Sequence, residues 1–428
     1  MTASVESLMQ AAAARVNAGD LGGAWDLYLA AIQAEPGHDQ AWLGLGMTAL
    51  LQRNWDVLVQ VADRRQHLAG DGFAYFHDVL TVIAGYGLYP LLEAMAAHLP
   101  DTSIYAPSSL YHALCARLLA GDEDTAFALL ARLKPLLAER RDQLPIGPGD
   151  RFNIAYRQAS LVEDGDYPEQ LDDVRVDSMA AALPVVETYG RWNQERGGDF
   201  VLLAACDGKY LDRFGADYLT SLLPLGRGAM VHLHVIEPTA EGLPPMAALA
   251  AAAALPVTIT CEPAGRWRGG AYFASARFLA APWVMERHGG RPVMITDIDI
   301  RFLRPPAQLA AAAQPYAFAS FVHDGAGPAS RLPAVWTWFA GDHGQAMLRA
   351  LSRSILSKLD IPWPYNWMLD QAALMTARRW LRRHHPRAAI AEMNTLVGQS
   401  FTTWLECRGD EDDKAALIRQ AGQAGQGD

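Results

Sequence analysis

PVMITDIDIRF, residues 292–302, is the stretch on which the fold turns. Val293 to Thr296 is a short, largely apolar run of the kind that forms a buried strand. Asp297 and Asp299 interrupt it, while Ile298, Ile300 and Phe302 keep the apolar side going. Alternate residues of an extended chain share a face. The expectation is one strand over 291–305 with both carboxylates on one face and the isoleucines packed on the other. Two carboxylates side by side need a cation or an arginine to balance them. A hard divalent ion, Mg²⁺ or Mn²⁺, would do so with a diphosphate completing its oxygen shell. Arg301 or Arg304, close in sequence, would do so too.

Upstream, DFVLLAACDGKYL (199–211), AMVHLHVIEP (229–238) and PVTITCEP (256–263) read as further buried strands, and YAFASFVH (316–323) follows downstream. Helical stretches separate them: Tyr210 to Leu222, a segment containing the alanine-rich residues 246–254, and a helix from about Ala271. Alternating strands and helices predict a mainly parallel sheet covered on both faces. Ligands of such sheets bind outside the carboxyl ends of the strands, which points to Asp207, to Asp297 and Asp299, and to His323 with Asp324. Asp207 followed by Gly208 also reads simply as a turn.

The ordered set AACDGKYL, YFASARFLAAPWV, PVMITDIDIRF and then WMLDQAAL, over residues 198–400, resembles the GT-A nucleotide-diphospho-sugar glycosyltransferases, whose hallmark is a D-x-D step. The resemblance implies a transferase that uses a nucleotide-sugar donor and a divalent cation. It places Asp297 at the ribose and the metal, Asp299 on the metal, and Asp207 near the base or ribose. Tyr272 and Arg277 would lie near the nucleotide and diphosphate, although Tyr272 also suits a core aromatic and Arg277 a surface ion pair. Asp370, before a helix in NWMLDQAAL, would reach the sugar or accept the proton of the acceptor hydroxyl; a helix cap is the other reading. One departure stands out. Many metal-dependent members supply a late histidine ligand, and EMNTLVGQSF (391–401 region) has none, leaving a third metal ligand unassigned. The aromatics Trp336, Trp338, Phe339, Trp363, Tyr365 and Trp367 suggest either a sugar-stacking wall or core.

The first part of the chain has another character. AGDLGGAWDLYLAAIQAEPGHDQAWLGLG (18–46) sets Trp25, Tyr28, Leu29 and Ile32 at helical spacing. It breaks at Pro36-Gly37 and resumes with Trp42 and Leu45. It resembles a tetratricopeptide repeat, with a weaker echo at 120–137. Such units stack to share a core, so residues 1–165 are expected to form an all-α, tetratricopeptide-like domain that either docks a protein partner or caps the second domain. A linker and a helix from Val176 to Trp192 fill 166–197, the GT-A-like α/β domain covers 198–405, and a polar tail covers 406–428.

Composition sets the limits. The 428 residues are 51 % apolar with a formal net charge of −11, enough for two cores and unsuited to wrapping nucleic acid. The arginines 378, 379, 382 and 383 fall on a helix and read as a solvated face. Four cysteines form no C-x-x-C pair, which argues against a zinc or disulfide framework. No apolar tract reaches the roughly 20 residues of a membrane span, and the first residues lack a signal-peptide pattern, so a cytoplasmic protein is expected. Three functions are open: sugar transfer to a protein or glycan, a transferase-like domain without activity on a protein-binding scaffold, and nucleotidyl transfer, for which no Gly-rich phosphate loop follows the first strand.

Overall fold

The computed structural model describes residues 3–139, 151–189, 198–245, 248, 255–263, 265–267, 269–323, 327–361 and 366–409. The chain forms two compact units, Met1–Tyr156 and Arg157–Asp428.

The first unit is built from α1 (Val5–Asn17), α2 (Leu21–Ala34), α3 (Asp39–Leu51), α4 (Trp55–Ala69), α5 (Gly72–Gly85), α6 (Tyr89–His98), α7 (Ala106–Leu119) and α8 (Glu123–Glu139). Short polar residues start the first helices. Ser4 Oγ accepts from the Ser7 N–H at 3.2 Å and Asp20 Oδ1 from the Gly23 N–H at 2.9 Å, each satisfying a donor the helix cannot. Gly70, with φ of +75°, closes α4 in the left-handed conformation that glycine tolerates. The α2–α3 connection is tied down by Trp42, whose Nε1–H donates to the Pro36 carbonyl at 2.8 Å. Sequential helices pack on one another, and α5 also packs on α3 and α7. Tyr28, Trp42, Leu45, Phe73, Phe76 and Val79 are among the side chains of the shared core.

Close approach of α3 to α5 depends on Gly46. A Cβ there would lie 2.2 Å from Tyr75 Oη and 2.8 Å from Val79 Cγ2. Tyr75 is held in that position by its own hydrogen bond to the Trp42 carbonyl at 2.9 Å.

Helix α9 (Arg151–Leu161) spans the division between the units, and α10 (Asp173–Ala181) follows. The second unit is α/β. Its strands are β1 (Glu187–Tyr189), β2 (Phe200–Asp207), β3 (Ala229–Ile236), β4 (Val257–Glu262), β5 (Val293–Thr296), β6 (Ile300–Phe302), β7 (Phe318–Ser320), β8 (Trp336–Phe339), β9 (Ile390–Glu392) and β10 (Leu405–Cys407). The main helices are α11 (Ala216–Leu222), α12 (Gly270–Arg287), α13 (Pro306–Ala313), α14 (Gly341–Leu356) and α15 (Leu369–His384). Among the described residues the sheet runs β1-β4-β3-β2-β5-β8-β7-β9, and β6 pairs separately with β10. The central block β4-β3-β2-β5 is parallel, and β8 enters antiparallel to both β5 and β7. Strand β3 is buried throughout and β2 is buried up to Asp207, as continuous apolar runs in a covered sheet must be.

Four expectations change. The single strand over 291–305 is two strands. β5 stops at Thr296, and the chain bends through Asp297–Asp299 because β6 leaves the main sheet to pair with β10, Ile300 opposite Cys407. Asp297 and Asp299 therefore belong to a bend and not to one strand face. The helix expected over Val176 to Trp192 ends at Ala181 and gives way to β1. Trp336, Trp338 and Phe339 form β8 and are essentially buried, so they are core and no sugar wall. Arg378 is 2 % exposed and hydrogen-bonded to Glu392 at 2.9 Å, so that arginine cluster is not wholly a solvated face. Asp324, Trp363, Tyr365 and most of residues 246–254 lie outside the described residues. No described helix is long and apolar enough to cross a membrane, and the four cysteines are free thiols.

Gly46→Ala is expected to destabilise the helical unit by about 1–3 kcal/mol through overpacking against Tyr75. Hydrogen exchange should show faster opening of α3 and α5 with β2 to β5 unchanged.

Candidate active site

The parallel strands β2, β4 and β5 end in Asp207, Glu262 and, one residue on, Asp297. All three sit at the carboxyl edge of the sheet, where the backbone leaves the ladder and its ends face outward. Gly208 lets the chain turn tightly after β2, because a Cβ there would lie 2.5 Å from the Glu237 carbonyl oxygen. Asp207 Oδ1 accepts from the Tyr210 N–H at 2.7 Å, holding that turn. Both the turn reading and the edge position of Asp207 are thus present in one residue.

Arg277 is the centre of the arrangement. It lies on α12, only 4 % exposed. Nη1 hydrogen-bonds to Asp297 Oδ1, and Nη2 donates to Asp370 Oδ2 at 3.0 Å. One guanidinium thus joins the loop after β5 to the start of α15, and Arg277 itself lies 93 residues before Asp370. The planar fork suits this, since its two nitrogens can address two acceptors in fixed directions. Burial alone would make the guanidinium easier to deprotonate. The carboxylates of Asp297, Asp370 and Asp299 more than offset it and raise its pKa. Asp370 is 5 % exposed and its pKa is raised, first by burial and then by Asp297, against the opposing pull of Arg277. Its other oxygen accepts from the Gln371 N–H at 2.9 Å.

Asp370 reaches this position through a backbone that costs energy. Met368, which precedes α15, has φ of +68°, a left-handed conformation that a side chain of its size rarely adopts. Glu237, just after β3, is a second such residue with φ of +50°. Both flank the same edge of the sheet.

The expected site residues therefore separate into groups. Arg277, Asp297 and Asp370 come together directly, and Asp299, 9 % exposed, adds its field to Arg277. Asp207 and Asp299 both act on the buried Cys206 thiol, whose pKa is pushed well up, chiefly by burial and then by these carboxylates and Asp212. Neither Arg301 nor Arg304 is the partner of Asp297; Arg277 is. His323 is exposed, and its N–H donates to the Arg331 carbonyl at 2.8 Å.

Tyr272 belongs to a different group. Its hydroxyl donates to Glu262 Oε1 at 2.6 Å, and both side chains are buried. Behind them runs a polar chain. His234 Nε2 lies 3.4 Å from Glu262 Oε2, His234 Nδ1 contacts Thr260 Oγ1 at 3.0 Å, His232 Nε2 contacts the same oxygen at 2.9 Å, and His232 Nδ1 meets His288 Nε2 at 3.3 Å. A hydroxyl has one proton, so with Glu262 ionised and the imidazoles neutral the chain is satisfied when Thr260 donates to His234, His232 donates to Thr260, and His288 donates to His232. Every donor then points toward Glu262. Sequence reading missed this group. Its one signal was His232 and His234, alternate polar residues on the same face of an otherwise apolar strand.

No protein-family model matches the chain, and no curated protein matches it. Solved structures that match include the WbbM bifunctional glycosyltransferase, at 14 % identity and TM-score 0.29 over 38 % of this chain and 37 % of that one. Mouse xyloside xylosyltransferase 1 matches at 13 % identity and TM-score 0.27 over 45 % of this chain and 84 % of that one. The Thermobaculum terrenum O-GlcNAc transferase matches at 14 % and 0.19 over 65 % and 44 %. The chain thus spans little more than a third of the first of these. All three are glycosyltransferases, but likenesses this distant carry no argument about this chain's chemistry.

A divalent cation can be tested against the residues themselves. Arg277 supplies one positive charge to the two carboxylates it binds, so a negative charge remains at the bend. Among the described residues no three His, Cys, Asp or Glu side chains form a metal-holding set. Mg²⁺-type ions, however, are commonly held by one or two carboxylates with substrate phosphates and not by an all-protein cage. The carboxylates of Asp297 and Asp299 are the type of donor such an ion takes.

Arg277→Leu is expected to cost about 3–5 kcal/mol at pH 7, because it leaves Asp370 buried and Asp297 partly buried without a counter-charge. Urea denaturation should show the loss shrinking at pH 5, where Asp370, its pKa raised by burial, can take up a proton. The histidine chain has its own pH signature. Burial lowers His232 well below its ordinary value and His288 to about 4. Their folded forms resist protonation, so their contribution is full above about pH 6.5 and is lost as the unfolded chain takes up protons from pH 6.5 toward 4. Urea midpoints at pH 7.5, 5.5 and 4.5 should fall accordingly, and less steeply for His288→Gln.

Proposed function

We propose that the second unit transfers a sugar from a nucleotide-diphospho-sugar donor to a protein or glycan acceptor, with a divalent cation, Mn²⁺ or Mg²⁺, assisting. What carries this reading is the convergence of Asp297, Arg277 and Asp370 at the carboxyl edge of the parallel strands, beside Asp299 and with Asp207 on the same edge. These residues come from four separate parts of the sequence and serve no obvious structural need that apolar packing would not meet as well. A buried carboxylate with a raised pKa, as Asp370 is, is a mark of function at such an edge.

Asp297 and Asp299 would hold the cation. When bound, that ion would neutralise charge on the departing diphosphate. Asp207 would meet the ribose or base from its place at the end of β2. Asp370 would serve as the proton acceptor for the attacking hydroxyl, its raised pKa bringing it nearer the strength such a base needs. Arg277 would keep Asp370 and Asp297 in fixed register across the site, so that acceptor and donor approach each other in one geometry. Tyr272 would shape the nucleotide side through Glu262 instead of touching the diphosphate.

The helical unit would recruit a protein partner. It has a groove of about 430 Å³ lined in part by Trp25, Leu29, Trp42, Leu45, Arg64 and Leu68, with Leu68 more than half exposed. A mostly apolar concavity with aromatic walls suits a protein segment.

A second reading has an observation of its own. The Asp297–Arg277–Asp370 triad is already cross-linked, and no three-carboxylate or histidine set accompanies it among the described residues. That pattern also fits a transferase-like unit without activity, carried on a helical scaffold that binds a protein partner.

Thermal midpoints with nucleoside diphosphates and nucleotide sugars, with and without Mn²⁺, separate the two. A ligand at about 100 times its Kd should stabilise the chain by roughly 2.7 kcal/mol. The catalytic reading expects one nucleotide to give a Mn²⁺-dependent rise that Asp299→Asn removes along with sugar transfer, at an unchanged ligand-free midpoint. No response to any nucleotide would favour the binding reading.

A further inference from the structure

Arg331 lies in the stretch that joins β7 to β8. Ser320 of β7 faces Thr337 of β8, and Trp336 of β8 faces Thr296, the last residue of β5. The β7–β8 stretch therefore crosses the same edge of the sheet as Asp297, which follows Thr296 directly. In the strand order, β8 and β7 stand beyond β5 on the side away from β2 and β4. Adjacent strands are about 4.8 Å apart, so the strand ends that carry this stretch are one to two strand spacings from the end of β5.

The side chain is 6 % exposed. Its Nε and Nη1 atoms are buried without a hydrogen-bond partner, and among the described residues no carboxylate pairs with it. The other strongly buried arginines are treated differently: Arg277 has Asp297 and Asp370, and Arg378 has Glu392. An arginine cannot escape burial by giving up its proton. A buried guanidinium without a counter-charge is costly, and the backbone contact found among the described residues does not reach it, since the His323 N–H donates to the Arg331 carbonyl. An anion would supply the partner these donors lack. A guanidinium fork matches a carboxylate, phosphate or sulfate through paired N–H donors.

We propose that Arg331 seats an anionic group of the acceptor, so that the substrate receiving the sugar is acidic. Asp297 and Asp299 leave the β2–β4 side to the donor, and Arg331 marks the opposite side of β5 for the second substrate. Calling the ligand an acceptor rests on the sugar-transfer reading; the anion seat does not.

The test compares the full chain with Arg331→Met and Arg331→Lys in a buffer free of oxyanions. Thermal midpoints are followed against inorganic phosphate, sulfate and glucuronate, with chloride at matched ionic strength as reference. The wild type should rise saturably with at least one of the three, phosphate and sulfate pointing to a tetrahedral group and glucuronate to a carboxylate. Arg331→Met should lose that response and, relieved of an unpaired charge, should melt no lower than the wild type without anion. Arg331→Lys should keep a weaker response. An absent response in the wild type, an undiminished one in Arg331→Met, or a lower anion-free midpoint for that variant would overturn the seat and leave Arg331 a packing residue. Nucleoside diphosphate with Mn²⁺ forms the separate arm. Retained binding in Arg331→Met supports the acceptor side, and its loss would reassign the seat to the donor's diphosphate. If neither protein binds any nucleotide, the sugar-transfer reading fails while the anion comparison still decides the seat.

Discussion

The candidate site depends on a single buried cation. Arg277 sits on α12 against the sheet and binds Asp297 and Asp370, which arrive from the loop after β5 and from the first turn of α15. Without it, two carboxylates in a low-dielectric setting would repel each other, and the buried one would have to take a proton or draw in water. With it, they are held at a fixed separation and the start of α15 is drawn to the edge of the sheet. The left-handed Met368 immediately before α15 is the backbone strain that this geometry tolerates.

The sheet makes the meeting possible. Its central strands β4, β3, β2 and β5 run parallel, so their carboxyl ends gather Asp207, Glu262 and Asp297 along one edge, although 90 residues separate the first from the last. The insertion of β8, antiparallel to β5, brings the stretch that carries Arg331 back to the same edge. Charged groups of both signs are thus distributed on either side of β5. They are not equivalent. The acidic residues near Arg277 are cross-braced, whereas among the described residues no carboxylate pairs with the buried Arg331. Behind the edge, the chain from Tyr272 and Glu262 to His288 places polar hydrogen bonding within an otherwise apolar layer, where each member is stabilised only because its neighbours supply the complementary donor or acceptor.

Much of this was legible in the residues. The apolar runs at 200–206, 229–236 and 293–296 named their own strands, because a strand covered on both faces has no polar alternation to obscure it. The helix containing Arg277 and the start of the helix at Asp370 followed from periodicity and from the prolines before it. Asp207, Asp297 and Asp370 were marked as carboxylates at the ends of such elements, and the first helices were marked by Pro36 and the spacing of Trp25, Tyr28 and Trp42. Strand β8 was hidden, since four consecutive buried apolar or β-branched residues look like any other core segment. The bend at Asp297–Asp299 was hidden as well, because alternation continues through Ile298, Ile300 and Phe302 whether or not the strand does.

Sequence alone therefore marked the apolar strands β2, β3, β4, β5 and β7 and the chemical types present near the sheet edge, because hydrophobic periodicity is a local property. Tertiary structure decided the partners. Nothing local distinguishes Arg277 from Arg301 or Arg304 as the ion that answers Asp297, or shows that β6 breaks away to pair with Leu405–Cys407. Nor does anything local reveal that Arg331 is buried while its neighbour across the loop, His323, is exposed. Charge pairing and burial are set by residues far apart in the chain that meet only when the sheet is assembled, and that is why the site could be listed by residue type from the sequence but not wired.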